Sequence, residues 1–257
     1  MSGPACAVVG LGEAGTVYAK ALAALGGAVY GFNPGNVPTP EGVERAGTLE
    51  EAVRDADIVV VLTSAEAAER VAHDAAPHLK PGACYADFTS SSPAAMRRVA
   101  DTVDGALMAD VAVLGAVPLG RARTPLIASG PGAARIGEVG ALLGAPVEVL
   151  EGEPPGAATG RKLVRSIYMK GLAQLFWEAL TAARAAGAEE WMRAQIEATL
   201  WADGPAFIDR ELDALPKHAE RRTHELGSIQ EYLDELDVPH AMTDAMRAEL
   251  LRIAGDR

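Results

Sequence analysis

The sequence predicts an α/β fold: a doubly wound, mostly parallel sheet in the first half, joined by a long helix to an all-α second half. Three observations predict it. A β-branched run, Ala5 to Val9, feeds directly into a glycine loop, GLGEAG at 10–15. Short apolar runs then alternate with helical patterns as far as Leu150. From Ala157 onward the strand-like runs stop and helical periodicity continues to the end.

The first elements carry the most information. Strand, glycine turn, helix (Thr16 to Leu25) and second strand (Ala28 to Phe32) follow one another as in a dinucleotide-binding βαβ unit. Gly10 permits the tight turn, Gly12 lets the backbone approach a pyrophosphate, and Gly15 lets helix and strand pack closely. The free N–H groups of the helix start suit an anion. The cofactor-binding set expected here is therefore Gly10, Leu11, Gly12, Glu13, Ala14 and Gly15. A second strand of this kind often ends in a carboxylate that holds the ribose 2′-hydroxyl of NAD. Here it ends in Gly31-Phe32-Asn33-Pro34. Without that carboxylate a 2′-phosphate meets no repulsion, so NADP is the expected cofactor, with NAD as the alternative. No arginine adjoins Asn33 in the chain to clamp the phosphate.

The alternation continues. Thr48-Leu49-Glu50-Glu51 is a capping-box pattern opening a short helix. Asp57 to Leu62 (DIVVVL) reads as a central parallel strand ending in Thr63-Ser64, where open α/β sheets bind ligands. Leu62, Thr63 and Ser64 join the cofactor-binding set. A helix runs to about His78, a turn falls at Pro81-Gly82, and a strand spans Cys84 to Phe88. That strand ends in Thr89-Ser90-Ser91-Ser92-Pro93. Ser92 reads as a helix N-cap with Pro93 at the first helical position. Capping does not account for Thr89, Ser90 and Ser91, which become substrate-contact candidates. A strand at Ala106 to Asp110, the segment Val111 to Gly115, a strand at Pro125 to Ser129, a helix from Gly132 to Leu143 and a strand at Val147 to Leu150 complete a first domain, 1–155. The Gly- and Pro-rich stretch Glu151 to Gly156 is its boundary.

The second domain, 156–257, reads as helical. A proline-free run from Ala157 to Ala186 would be about 45 Å long as one helix, long enough to link domains, and Gly187 ends it. Further helices are expected at Glu189 to Ala202, Pro205 to Leu212, Lys217 to Glu235 and Thr243 to Ile253. Leu172, Leu175, Phe176, Ala179 and Ala183 form a stripe at helical spacing and read as core. Helical additions of this kind bury their own faces poorly, so a homodimer is expected. His218, Arg221, Arg222 and Glu225 share one helix face. They read as a solvated, ion-paired surface, with an anion-binding role for His218 and Arg222 as the alternative.

Composition bounds the function. With 257 residues, 49% hydrophobic, the chain can bury a sizeable core. A net charge of −12 argues against nucleic-acid binding. The two cysteines, Cys6 and Cys84, sit in apolar runs and read as buried thiols of a reducing compartment. No leader pattern and no apolar run near the roughly 20 residues of a membrane span is seen, so a cytoplasmic protein is expected. No metal site is expected.

With these pieces placed, the chain resembles the β-hydroxyacid dehydrogenase superfamily, in the branch with the small helical C-terminal domain of 6-phosphogluconate-dehydrogenase-like oxidoreductases. GLGEAG at 10–15 matches the nucleotide loop. Asp87-Phe88-Thr89-Ser90-Ser91-Ser92-Pro93 is similar to the substrate loop D-x-S-T-x-x-P, and Asp110 to Gly115 to the segment D-A-P-V-S-G. Gly156 through Ser166 resembles the stretch that carries the catalytic lysine, and HAERRTHEL at 218–226 resembles a C-terminal element of this branch. The resemblance implies Lys162 as proton donor or acceptor, Ser166 where the family has asparagine, and Lys170 lining the same pocket. Leu114 and Ala112 stand where the family has serine and proline. The implied activity is hydride transfer between a nicotinamide cofactor and a small polar hydroxy or carbonyl compound, foremost a hydroxy acid. An imine reductase-like enzyme and a non-catalytic redox sensor are the alternatives.

Overall fold

The computed structural model describes residues 3–200, 215–220, 222–223, 226, 230, 233–234 and 236–255, without the side chains at 167, 170, 173 and 200. Eight strands form one sheet: β1 (Cys6–Val9), β2 (Val29–Phe32), β3 (Glu44–Arg45), β4 (Ile58–Val61), β5 (Cys84–Asp87), β6 (Leu107–Val113), β7 (Leu126–Ser129) and β8 (Val147–Val149). Their order is β3-β2-β1-β4-β5-β6-β7-β8. The chain leaves β1 toward β2 on one side and returns to β4 on the other. The carboxyl ends of β1 and β4 therefore flank the point where the strand order reverses, the place where such sheets bind ligands.

The apolar runs become strands buried on both faces. In β4 all four residues are buried, and alternate side chains feed two cores. Val8, Ile58, Val60, Tyr18 and Leu22 pack on one face, with Val9, Val59, Val61, Tyr85 and Met96 on the other. Each fully buried valine or leucine contributes about 1.5–3 kcal/mol relative to its exposure. Helix α1 (Glu13–Ala23) lays Tyr18 edge-on against Phe88, ring centres 5.2 Å apart. Helix α2 (Leu49–Val53) opens with the expected capping box between Thr48 and Glu51, and α4 (Pro93–Thr102) opens on Ser92, whose hydroxyl accepts the Ala95 N–H. Helix α3 (Ala65–Ala75) follows β4, and α6 (Ala133–Leu143) precedes β8.

Three details differ from the pattern read in the sequence. Ala106 to Asp110 and Val111 to Gly115 are not two segments, because Leu107–Val113 is one seven-residue strand. Strand β7 runs antiparallel to β6. The link between them holds only the short helix α5 (Val117–Gly120) and one 3₁₀ turn, too little for the helical crossover that parallel strands require. The two-residue strand β3 pairs with β2 and was not expected.

The chain divides into two compact units, Met1–Arg165 and Ser166–Arg257. Helix α7 (Ala157–Ala185) begins in the first, and α8 (Glu189–Leu200) and a last helix, Ala241–Gly255, belong to the second. Glu178 caps that last helix, its carboxylate accepting the N–H groups of Met242 at 2.7 Å and Thr243 at 2.9 Å. The stripe read as core is less covered than expected: Leu172, Phe176, Ala179 and Ala183 are half-buried, and Leu175 is exposed. The helix expected at Pro205 to Leu212 lies outside the described residues, as do Arg221, His224 and Glu225. Among the described residues no helix is long and apolar enough to cross a membrane.

Candidate active site

The nucleotide loop is built as its glycines require. Gly10 has φ +97°, and a Cβ there would lie 2.3 Å from the Leu62 carbonyl oxygen. A Cβ on Gly15 would lie 1.8 Å from the Gly10 carbonyl oxygen, so helix and strand meet at backbone distance. Gly12 differs: a Cβ there would meet nothing within 4 Å. Space is open in front of the α1 N-terminus, where Gly12 is the N-cap and no side chain caps the helix. Uncapped donors facing open space fit a pyrophosphate, and a nicotinamide dinucleotide fits the residues present.

A cavity of about 470 Å³ lies at this point. It gathers Gly10, Gly12, Asn33, Leu62, Thr63 and Ser64 from three strand ends. Leu11, Glu13, Ala14 and Gly15 belong to the same loop and helix start but do not line it. Leu11 is a core residue, 3% exposed, and its N–H donates to Asn33 Oδ1 at 3.1 Å. Glu13 borders a second cavity instead, with Lys20 and Arg121.

The other wall of the cavity was not anticipated. Ala67, Arg70, Val71 and Asp74 of α3 line it, at positions i, i+3, i+4 and i+7 of one helix face. That spacing was readable in the sequence, where the segment passed as an ordinary helix. Arg45 was missed as well. Although distant in the chain, it is brought by β3 against the loop after β2, where its guanidinium donates to the carbonyls of Asn33 (2.7 Å), Gly35 (3.1 Å) and Val37 (3.2 Å).

Strand β5 lies beside β4, with Asp87 paired to Val61, so the Thr89–Ser91 loop and Thr63-Ser64 occupy neighbouring positions on the carboxyl edge. Of the loop's hydroxyls, Ser90 is exposed and accepts a hydrogen bond from Lys162 Nζ at 2.7 Å. Thr89 is buried, 4% exposed. Ser91 is half-buried, and its hydroxyl donates to the Ser92 carbonyl at 3.4 Å.

The placement of Lys162 traces to a buried carboxylate. Asp110, fully buried on β6, accepts the N–H groups of Gly156 (2.9 Å) and Thr159 (3.0 Å) and the Thr159 hydroxyl (2.6 Å). Ser129 donates to it at 3.1 Å and accepts the Ala158 N–H at 3.0 Å. These bonds satisfy the donors at the start of α7, which would otherwise be orphaned in the core. Gly156, at φ +100°, sits so close to Pro93 that a Cβ would lie 2.7 Å from its carbonyl oxygen. The first turn of α7 is thereby seated on the start of α4, next to the hydroxyl loop. The signal in the sequence was Asp110 itself, a carboxylate inside an apolar strand run.

Asp87 is Asp110's partner in the sheet register and is also fully buried. Burial lifts its carboxyl to about 6, with the Asp110 charge pushing the same way and Thr89, whose N–H donates at 2.7 Å, pulling it down. Burial also raises the thiols of Cys6, to about 11, and Cys84, to about 12, so both free cysteines stay protonated core groups.

Ser166 is half-buried on α7, within the second unit. The Lys170 side chain lies outside the described set. In the second unit His218 is exposed and Arg222 half-buried. No group of three or more His, Cys, Asp or Glu among the described residues could hold a metal ion.

Comparison with known proteins agrees with this layout. Residues 5–145 match the family model of the NAD binding domain of 6-phosphogluconate dehydrogenase. Residues 183–253 match a domain of unknown function (DUF1932). An uncharacterized 28.5 kDa protein in the 7S RNA 5′ region of Methanothermus fervidus is 26% identical over 196 residues, 75% of this chain and 74% of that one. Conserved protein MTH1747, of unknown function and described as structurally similar to 3-hydroxyacid dehydrogenases, is 26% identical with a TM-score of 0.64, over 98% of this chain and 97% of its own. An imine reductase from Pseudomonas sp. shares the fold at a TM-score of 0.77 and 20% identity, over 99% and 95% of the two chains. An imine reductase from Aspergillus terreus does so at 0.80 and 18%, over 100% and 95%. With a model matched over more than half of its length, the chain belongs to the family of the NAD binding domain of 6-phosphogluconate dehydrogenase.

Proposed function

We propose that the protein is an NAD(P)-dependent oxidoreductase that moves a hydride between the nicotinamide and a small polar hydroxy or carbonyl compound, foremost a hydroxy acid. The observation that carries this reading is the 2.7 Å contact between Lys162 Nζ and Ser90 Oγ, on the strand edge that also holds the cofactor cavity. A bound nicotinamide supplies or accepts the hydride. Lys162 donates a proton to the carbonyl oxygen as negative charge develops there, and takes it back in the oxidative direction. Ser90 accepts from Lys162 and so fixes the direction of the ammonium group. Thr63 and Ser64, which line the cavity, contact the nicotinamide ribose in this reading, and Ser91 offers a polar contact to substrate. Thr89 supports the loop from below, its N–H held by Asp87. Ser166, Lys170, His218 and Arg222 complete the substrate set in this reading. NADP is the preferred cofactor, because no carboxylate ends β2.

Reduction of imines is a second reading. The fold shared with imine reductases supports it, while the contact between Lys162 and Ser90 favours the first reading. A panel assay separates the readings: native protein with NADPH, followed by cofactor absorbance, against small keto acids, aldehydes and cyclic imines. Turnover of a keto acid or aldehyde supports the proposal. Turnover confined to imines replaces it, and cofactor binding without any turnover favours a redox sensor.

We also propose a homodimer. Along α7 and α8, Val164, Tyr168, Met169, Trp177 and Trp191 are 41–74% exposed, apolar side chains that a second copy would cover.

A further inference from the structure

The absence of a charged residue at the end of β2 leaves open which group would hold a 2′-phosphate. We propose that Arg70, from the helix on the opposite wall of the cavity, fills that role and selects NADP(H) over NAD(H). The inference rests on the cofactor reading above and goes beyond it by naming the residue that decides between the two cofactors.

The groups at the end of β2 are already committed. Asn33 uses Oδ1 to accept the Leu11 N–H and Nδ2 to donate to the Gly35 carbonyl at 3.3 Å. Arg45 spends its guanidinium on three loop carbonyls. It holds the loop in shape and does not line the cavity. Arg70 does line it, together with Asn33 and Pro34, and is exposed. Among the described residues it takes part in no hydrogen bond or ion pair. Its five N–H donors and fixed charge suit a phosphate dianion, which a planar guanidinium binds in a bidentate manner. The cavity holds one opposing carboxylate, Asp74, one turn further along the same helix face. Asp74 is the rival group: a carboxylate there would accept ribose hydroxyls and favour NAD(H). With Arg70 one turn nearer the helix start, the wall carries both signs, and the guanidinium decides the preference when a phosphate is present.

The test is binding rather than turnover. NADPH and NADH are titrated by cofactor fluorescence into native protein and into the Arg70→Ala, Arg70→Lys and Asp74→Asn variants. Competition by 2′,5′-ADP and 5′-AMP isolates the adenosine end. Arg70→Ala is expected to weaken NADPH and 2′,5′-ADP about 10- to 100-fold, the worth of a charged hydrogen bond. NADH and 5′-AMP should change by no more than about twofold, and Arg70→Lys should recover part of the loss. Equal weakening of both cofactors, or unchanged NADPH affinity, overturns the inference. So does a loss of NADH binding in Asp74→Asn while Arg70→Ala changes nothing. If native protein binds neither cofactor, the cofactor reading itself fails, an outcome separate from any behaviour of the variants.

Discussion

Two carboxylates lie side by side beneath the site, and their environments assign them different work. Asp110 is surrounded by donors and ties down the start of α7, which positions Lys162. Asp87 has one oxygen, Oδ2, that is buried without a hydrogen bond among the described residues, and its carboxyl titrates at about 6. Because its folded value lies above the ordinary one of 3.8, the folded protein holds this proton more tightly than the unfolded chain. Its contribution to stability is fully present below about pH 4 and is lost as pH rises through about 6. Asp87→Asn keeps the acceptor for the Thr89 N–H and removes the titration. Its stability relative to native protein should therefore improve from acid to neutral pH, by up to about 3 kcal/mol. Urea unfolding on either side of that window measures this, and an equal difference at both pH values contradicts it. At this scale Lys162 became a candidate through the family resemblance, and the loop hydroxyls through their place at the carboxyl end of a strand. It did not show Arg45 or Arg70, whose roles arise from strands and helices that meet only in three dimensions.

At the scale of elements, the three glycines of the nucleotide loop make separable demands. A side chain at Gly15 would strike the Gly10 carbonyl, whereas one at Gly12 would point into open space. Gly15→Ala should destabilise the fold by about 2 kcal/mol or more. Gly12→Ala should leave the melting temperature near native yet weaken NADPH binding at least about tenfold, by displacing the pyrophosphate from the helix N-terminus. Equal melting losses in both variants would show that Gly12 serves packing alone. The strands, the capping box and the Ser92 cap were legible because each follows from local periodicity or local hydrogen bonding. The two-residue β3 and the reversal of β7 were not. A two-residue strand has no period to read, and strand direction depends on whether the connection can cross over.

For the molecule as a whole, a sheet with both faces buried positions the cofactor cavity and Lys162 at one edge, while the long helix leaves apolar side chains uncovered. If a second copy covers them, light scattering will report a mass of two chains. Replacing Tyr168 and Trp177 together with Glu should shift that mass to one chain without unfolding the first unit; a native protein that runs as one chain contradicts the homodimer. The class of fold and the place of the cofactor loop were readable from sequence, since both follow from strand–turn–helix alternation. The packing of the helical half was less so, because a stripe that reads as core covers itself only partly in one chain. The most direct test of the whole account is Lys162→Met, assayed with NADPH and the best substrate of the panel. The account predicts a loss in kcat of about 10²- to 10⁴-fold with NADPH affinity unchanged. Near-native turnover in that variant would contradict it.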